Sequence, residues 1–195
     1  MPSPALQRWE TESQEAFDEL ENAHRNVGGK ERGRRWATKQ INRSYVVLLA
    51  AEFQAYCRDL HSAASAFIAQ QAGPQLATLV ESNLTYARTL DRGNANPSNI
   101  GKDFGRFGFE LWTRVRNRHV HNERRRERLE QVCTWRNAIV HQDFNLSAEQ
   151  QNLLSDTTID LGWCRRWRRA LGALTQEMDT VVGNELLAVA GVNPW

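Results

Sequence analysis

No stretch of this chain approaches the roughly 20 consecutive apolar residues that cross a bilayer, so no membrane-spanning helix is expected. Cysteine is scarce. Cys57, Cys133 and Cys164 are odd in number and far apart, which argues against a disulfide framework and for buried reduced thiols. No CxxC pair or paired His/Cys spacing marks a structural zinc site, and no metal is expected. The opening residues lack a basic segment followed by an apolar one, so no signal peptide is expected and the cytoplasm is the expected location. Period-2 alternation, internal repeats and a P-loop are also missing, and no cofactor is expected. Lysine is nearly absent, so arginine carries almost all of the positive charge.

What remains is ordinary globular composition. The 195 residues are 41% hydrophobic and 25% charged, enough for one domain, 1–195, with a real core. Apolar residues recur at spacings of three and four. They predict helices over about 4–27, 34–71, 74–90, 122–142 and 158–190, with a short helix around Phe109, Leu111, Trp112 and Val115. The long second helix carries the stripe Tyr45, Leu48, Leu49, Phe53, Tyr56, Leu60 and Phe67. Gly28-Gly29 is read as the end of the first helix, and the glycine- and phenylalanine-rich stretch 93–108 as an irregular insertion. The fold class is all-α, an antiparallel bundle of about five to six helices.

Net charge is only +2, but it is unevenly spread. Arg114, Arg116, Arg118, Arg124, Arg125 and Arg128, with Arg126, crowd one stretch against Glu123 and Glu127. They are the candidate RNA-phosphate contacts. Arg165, Arg166, Arg168 and Arg169 form a second cluster.

The sharpest local signal is Arg136-Asn137-Ala138-Ile139-Val140-His141. On the helix 122–142 the inward stripe reads Leu129, Val132, Cys133, Arg136, Ile139 and Val140, which puts a guanidinium on an apolar face. A buried guanidinium needs a partner or a wet cavity. Glu52, on the stripe of the long helix, is the candidate partner. Asn137 and His141, four apart, share a face. An imidazole can move a proton near neutral pH, and a guanidinium binds phosphate oxygens through two donors. Together they suit attack of a ribose 2′-hydroxyl on the adjacent phosphorus without metal. The spacing also occurs at Arg116 and His121, but in a charge-dense stretch with no apolar stripe to dock it.

The segment 129–144 around this motif resembles the Arg-x4-6-His helix of the HEPN family. The segment 45–60, with Glu52-Phe53, is similar to the helix that packs against it there. The resemblance spans about 34–190, with the helix 1–30 outside it. It implies a helical bundle that dimerises so that two motifs form one composite site. Arg136, Asn137, His141 and Glu52 are then the catalytic set. The implied activity is metal-independent RNA cleavage in a toxin–antitoxin or antiviral-defence setting, with a cognate antitoxin or defence protein as partner. Some HEPN proteins are dimeric binding modules without turnover, and that alternative stays open.

Overall fold

The computed structural model describes residues 1–27 and 35–195, so the expected helix end at Gly28-Gly29 lies outside the described residues. Ser3 caps the first helix, α1 (Pro4–Arg8), by accepting from the Leu6 N–H at 3.1 Å, and Pro4 fills the first turn. A π turn, Trp9–Ser13, joins it to α2 (Gln14–Val27). Its cause is register. Trp9, Ser13 and Phe17 are all buried, and a spacing of four drifts about 80° over eight residues of ideal α-helix. The wider turn keeps all three on one face.

The 37-residue α3 (Arg35–Gln71) is the centre of the molecule. Tyr45, Val46, Leu49, Phe53, Tyr56, Cys57, Leu60 and Ala64 are fully buried and cover an arc of about 120°. Two short helices follow, α4 (Ala77–Thr85) and α5 (Thr89–Arg92). The single helix expected over 74–90 is interrupted because Arg106 donates to the carbonyls of Leu84, Tyr86 and Ala87 at 3.0, 2.6 and 3.3 Å. Those contacts satisfy the carbonyls that a continuing helix would use.

The stretch expected to be irregular is also helical. Asn96 caps α6 (Pro97–Phe104), and a 3-10 turn, Gly105–Phe107, follows. Gly101 serves close packing, since a Cβ there would lie 3.1 Å from the Trp112 ring. That ring belongs to α7 (Leu111–Arg118). The motif helix is α8 (Asn122–His141). The turn after it leads into α9 (Ala148–Leu154), closed by a Ser147/Gln150 capping box, and then α10 (Leu161–Ala190).

Side-chain pairings fix the helix directions. Arg8 meets Asp59 while Glu21 meets Tyr45, so the N-terminal helix runs antiparallel to α3. Ser3 meets Asp179 while Glu21 meets Arg165, so it is antiparallel to α10 as well. It follows that α3 and α10 are parallel, and the Cys164–Asn42 and Tyr56–Thr175 bonds agree. The bundle is all-α, and it contains this parallel pair alongside the antiparallel packing of the N-terminal helix on both. Leu6, Trp9 and Phe17 are part of the single apolar core, so the N-terminal helix belongs to the fold and is not an appendage to 34–190.

His61 is fully buried beneath α6. Its Nε2 lies 3.1 Å from the Asp103 carbonyl, and its ring packs on Phe104 and Phe107. Burial and the Arg88 guanidinium push its pKa from 6.5 down to about 4. Between those values the unfolded chain binds a proton that the folded chain refuses, so stability falls as pH drops from 6.5 to 4. The loss is about 3 kcal/mol if the whole shift is expressed. Melting temperature should therefore fall several degrees across this window, and His61→Gln should flatten that fall. An identical pH profile in the variant would remove His61 as the cause.

Candidate functional site

The C-terminal half of α8 sits between α3 and the 93–96 loop. Leu129, Val132 and Cys133 are buried as expected, and the Cys133 thiol donates to the Ala95 carbonyl at 3.5 Å. Burial pushes that thiol up to about 12, which leaves it an inert packing group. Beyond Cys133 the apolar stripe opens. Arg136 and Ile139 are half-buried, and Val140, expected inward, is 47% exposed. Ala138 takes the buried position instead.

Arg136 does not pair with Glu52. Glu52 accepts from Arg8 Nη1 at 3.3 Å and from Ser13 Oγ at 2.7 Å, on the side of α3 covered by the N-terminal helix. The reason is angular. Val47, Leu48 and Ala51 line the groove beside α8, and one residue further along turns the side chain by about 100°. The stripe of α3 that carries Glu52 is real, but at that level it packs on a different helix. The expected Arg136–Glu52 pair is thus replaced by an Arg8–Glu52–Ser13 cluster.

Arg136 is held by amides. Its Nη1 donates to Asn137 Oδ1 at 3.1 Å, and the same oxygen accepts from Asn94 Nδ2 at 3.0 Å. No carboxylate pairs with Arg136 among the described residues. Its Nε and Nη2, and Nδ2 of Asn137, make no bond within the described residues and are not sealed from solvent. Asn94 is a site residue that the sequence reading missed. Its contact with Asn137 spans 43 positions, and no local pattern announces it.

His141 is the last residue of α8 and is exposed. The helix stops there because Gln142 adopts a left-handed conformation, φ 52°, while the Asp143 N–H bonds the Ala138 carbonyl at 3.1 Å. Ideal geometry sets His141 about 7.5 Å along the axis and 140° around from Arg136, and only about 40° from Asn137. Beside the motif runs an open groove of about 750 Å³, lined by Arg43, Val47, Leu48, Ala51, Ile139 and Phe144.

The six candidate RNA-binding arginines divide. Arg114 pairs with Glu185 at 2.9 Å, and Arg118 and Arg125 pair with Glu177 at 2.7 and 3.7 Å. These three staple α7 and the start of α8 to α10. Arg128 donates to Gln131 at 2.8 Å and stacks 4.6 Å from the Trp163 ring. Burial, then Arg124 and Arg166, push its pKa down. Arg116 and Arg124 are exposed and form no ion pair among the described residues. Arg125 lies about 16 Å along the helix axis from Arg136, so the cluster occupies the other end of α8 from the motif. In the second cluster Arg165 and Arg168 are tied to Glu21 at 2.7 and 3.2 Å, again within the bundle. Among the described residues no group of three His, Cys, Asp or Glu side chains is arranged to hold a metal ion, and no helix is long and apolar enough to cross a membrane.

Comparison of the chain with protein-family models, curated proteins and solved structures gives no match.

Glu52→Ala is expected to strip partners from Ser13 and from Arg8, whose Nη2 is already buried without one, and to cost about 1–2 kcal/mol. The check is the melting temperature together with RNA cleavage. A drop in the first with cleavage intact fits a structural Glu52. Unchanged melting with lost cleavage would restore it to the catalytic set.

Proposed function

We propose that the chain is a metal-independent endoribonuclease of the HEPN type, acting in the cytoplasm as a toxin or antiviral-defence effector. One observation carries this reading. Arg136 is a half-buried guanidinium with no carboxylate partner among the described residues, in the last turns of a helix that ends on an exposed histidine. A guanidinium that meets solvent and no carboxylate keeps its charge available to an incoming anion. RNA phosphate supplies such an anion, and the fork geometry of arginine matches it.

In the reaction a base removes the ribose 2′-hydroxyl proton and O2′ attacks phosphorus. The bond from phosphorus to O5′ breaks, and O5′ takes up a proton. The products are a 2′,3′-cyclic phosphate and a 5′-hydroxyl, and no co-reactant is consumed. Arg136 stabilises the charge on the non-bridging oxygens, and Asn137 offers its free Nδ2 to the substrate. One histidine cannot easily serve both as base and as acid on opposite sides of phosphorus. Two can, and a two-fold dimer supplies both. The groove beside Ile139, with exposed Val140 and Phe144 nearby, is an apolar surface on which a second copy would bring the two motifs together.

A second reading is a dimeric RNA-binding module without turnover. It is favoured by the lack of any hydrogen-bonding partner that orients the His141 ring among the described residues. One experiment separates the two. RNA is incubated in EDTA with wild type, with His141→Ala, with Arg136→Ala, and with a mixture of the two variants. Cleavage by wild type, loss in each variant at unchanged melting temperature, and partial recovery in the mixture are expected, with twice the 22.4 kDa chain mass in light scattering. Binding without cleavage would leave the module reading. Full activity in His141→Ala would end the assignment of that residue.

A further inference from the structure

The 93–96 loop and the first turn of α6 hold a chain of amides that ends on Arg136. The Asn99 N–H donates to Asn96 Oδ1 at 2.8 Å. Asn96 Nδ2 donates to Asn94 Oδ1 at 3.2 Å, and Asn94 Nδ2 donates to Asn137 Oδ1 at 3.0 Å. Arg136 Nη1 reaches the same oxygen at 3.1 Å. An amide can usually be flipped end for end without penalty in shape, but here the order is forced. A backbone N–H can only donate, so Asn96 must present oxygen to it. Asn96 then presents NH2 to Asn94, and Asn94 presents NH2 to Asn137. A guanidinium can only donate, so the far end of the chain demands the same arrangement. Both ends agree, and flipping any single amide would set donor against donor or acceptor against acceptor.

The geometry points to Asn94 as a positioning residue for Arg136, acting through the amide of Asn137. The inference rests on the reading that Arg136 meets RNA phosphate. Asn94 aims the Asn137 oxygen at the guanidinium. It thereby holds the Arg136 fork in one rotamer and leaves Asn137 Nδ2 directed away from both donors. The loop does not need the Asn94 side chain in order to stay in place. Gln54 Nε2 donates to the carbonyls of Leu90 and Gly93 at 2.9 Å each. Asn99 Nδ2 holds the Asn94 carbonyl at 2.8 Å, and Cys133 holds that of Ala95. Removing the side chain therefore tests aim more than folding.

Two variants differ usefully. Asn94→Ala deletes the donor and frees the Asn137 amide to rotate. Asn94→Asp puts an acceptor against the Asn137 oxygen and offers Arg136 a carboxylate that would neutralise it. Steady-state cleavage of a short RNA in EDTA should show kcat falling about tenfold or more for Asn94→Ala, with KM unchanged, and further for Asn94→Asp. In an Arg136→Ala background Asn94→Ala should cause no additional loss. A second readout is independent of activity. In 15N spectra the Arg136 guanidinium should show hindered rotation in wild type and free rotation in Asn94→Ala. Unchanged Arg136 rotation in Asn94→Ala, or equal losses with and without Arg136, would overturn the positioning role. No cleavage by wild type, with Arg136 rotation still dependent on Asn94, would instead overturn the ribonuclease reading and leave the positioning role standing.

Discussion

The fully buried arc of α3 is the interaction on which the rest of the structure depends. About 55 Å of helix presents Tyr45, Leu49, Phe53, Tyr56 and Leu60 to its neighbours. The N-terminal helix, α8 and α10 all bury apolar side chains against it. At roughly 1.5–3 kcal/mol for each large apolar side chain fully removed from water, this arc outweighs any surface ion pair in the molecule. Because α3 is covered on different sides by different helices, neighbouring residues on it answer to different partners. Ala51 belongs to the groove beside α8, whereas Glu52 belongs to the N-terminal helix.

That division explains the character of the motif region. Once the inward carboxylate of α3 is spent on Arg8 and Ser13, nothing on the facing helix neutralises Arg136. Its hydrogen bond goes instead to the neutral amide of Asn137, which leaves the charge intact. The arginine-dense stretch before the motif behaves in the opposite way. Arg114, Arg118 and Arg125 lose their freedom to Glu177 and Glu185 and serve the packing of α7 on α10. Charge density along a sequence is therefore a poor guide to charge available at a surface. Within that stretch the exposed Arg116 and Arg124 stay without an ion pair among the described residues, as Arg136 does.

Much of the fold was legible. The three-and-four spacing of Tyr45 through Phe67 and of the apolar residues over 158–190 marked the long helices, because amphipathic periodicity is written locally. Glycine misled. Gly101 reads as a helix breaker, yet it lies where a Cβ would crowd the Trp112 ring at 3.1 Å, and only the packed structure reveals that. Asn96-Pro97 and Ser147 with Gln150 are cap signals that were present and passed over. The motif residues Arg136, Asn137 and His141 could be read because they share one helix. Asn94 could not, since its role rests on a contact made only when the chain is folded.

The most direct test is the chemistry of the RNA ends. A defined oligoribonucleotide is incubated with the protein in EDTA, and the fragments are weighed by mass spectrometry. Transesterification by a histidine and an unpaired arginine must leave a 2′,3′-cyclic phosphate on one fragment and a 5′-hydroxyl on the other. Fragments that carry a 3′-hydroxyl and a 5′-phosphate, or RNA that stays intact, would contradict it.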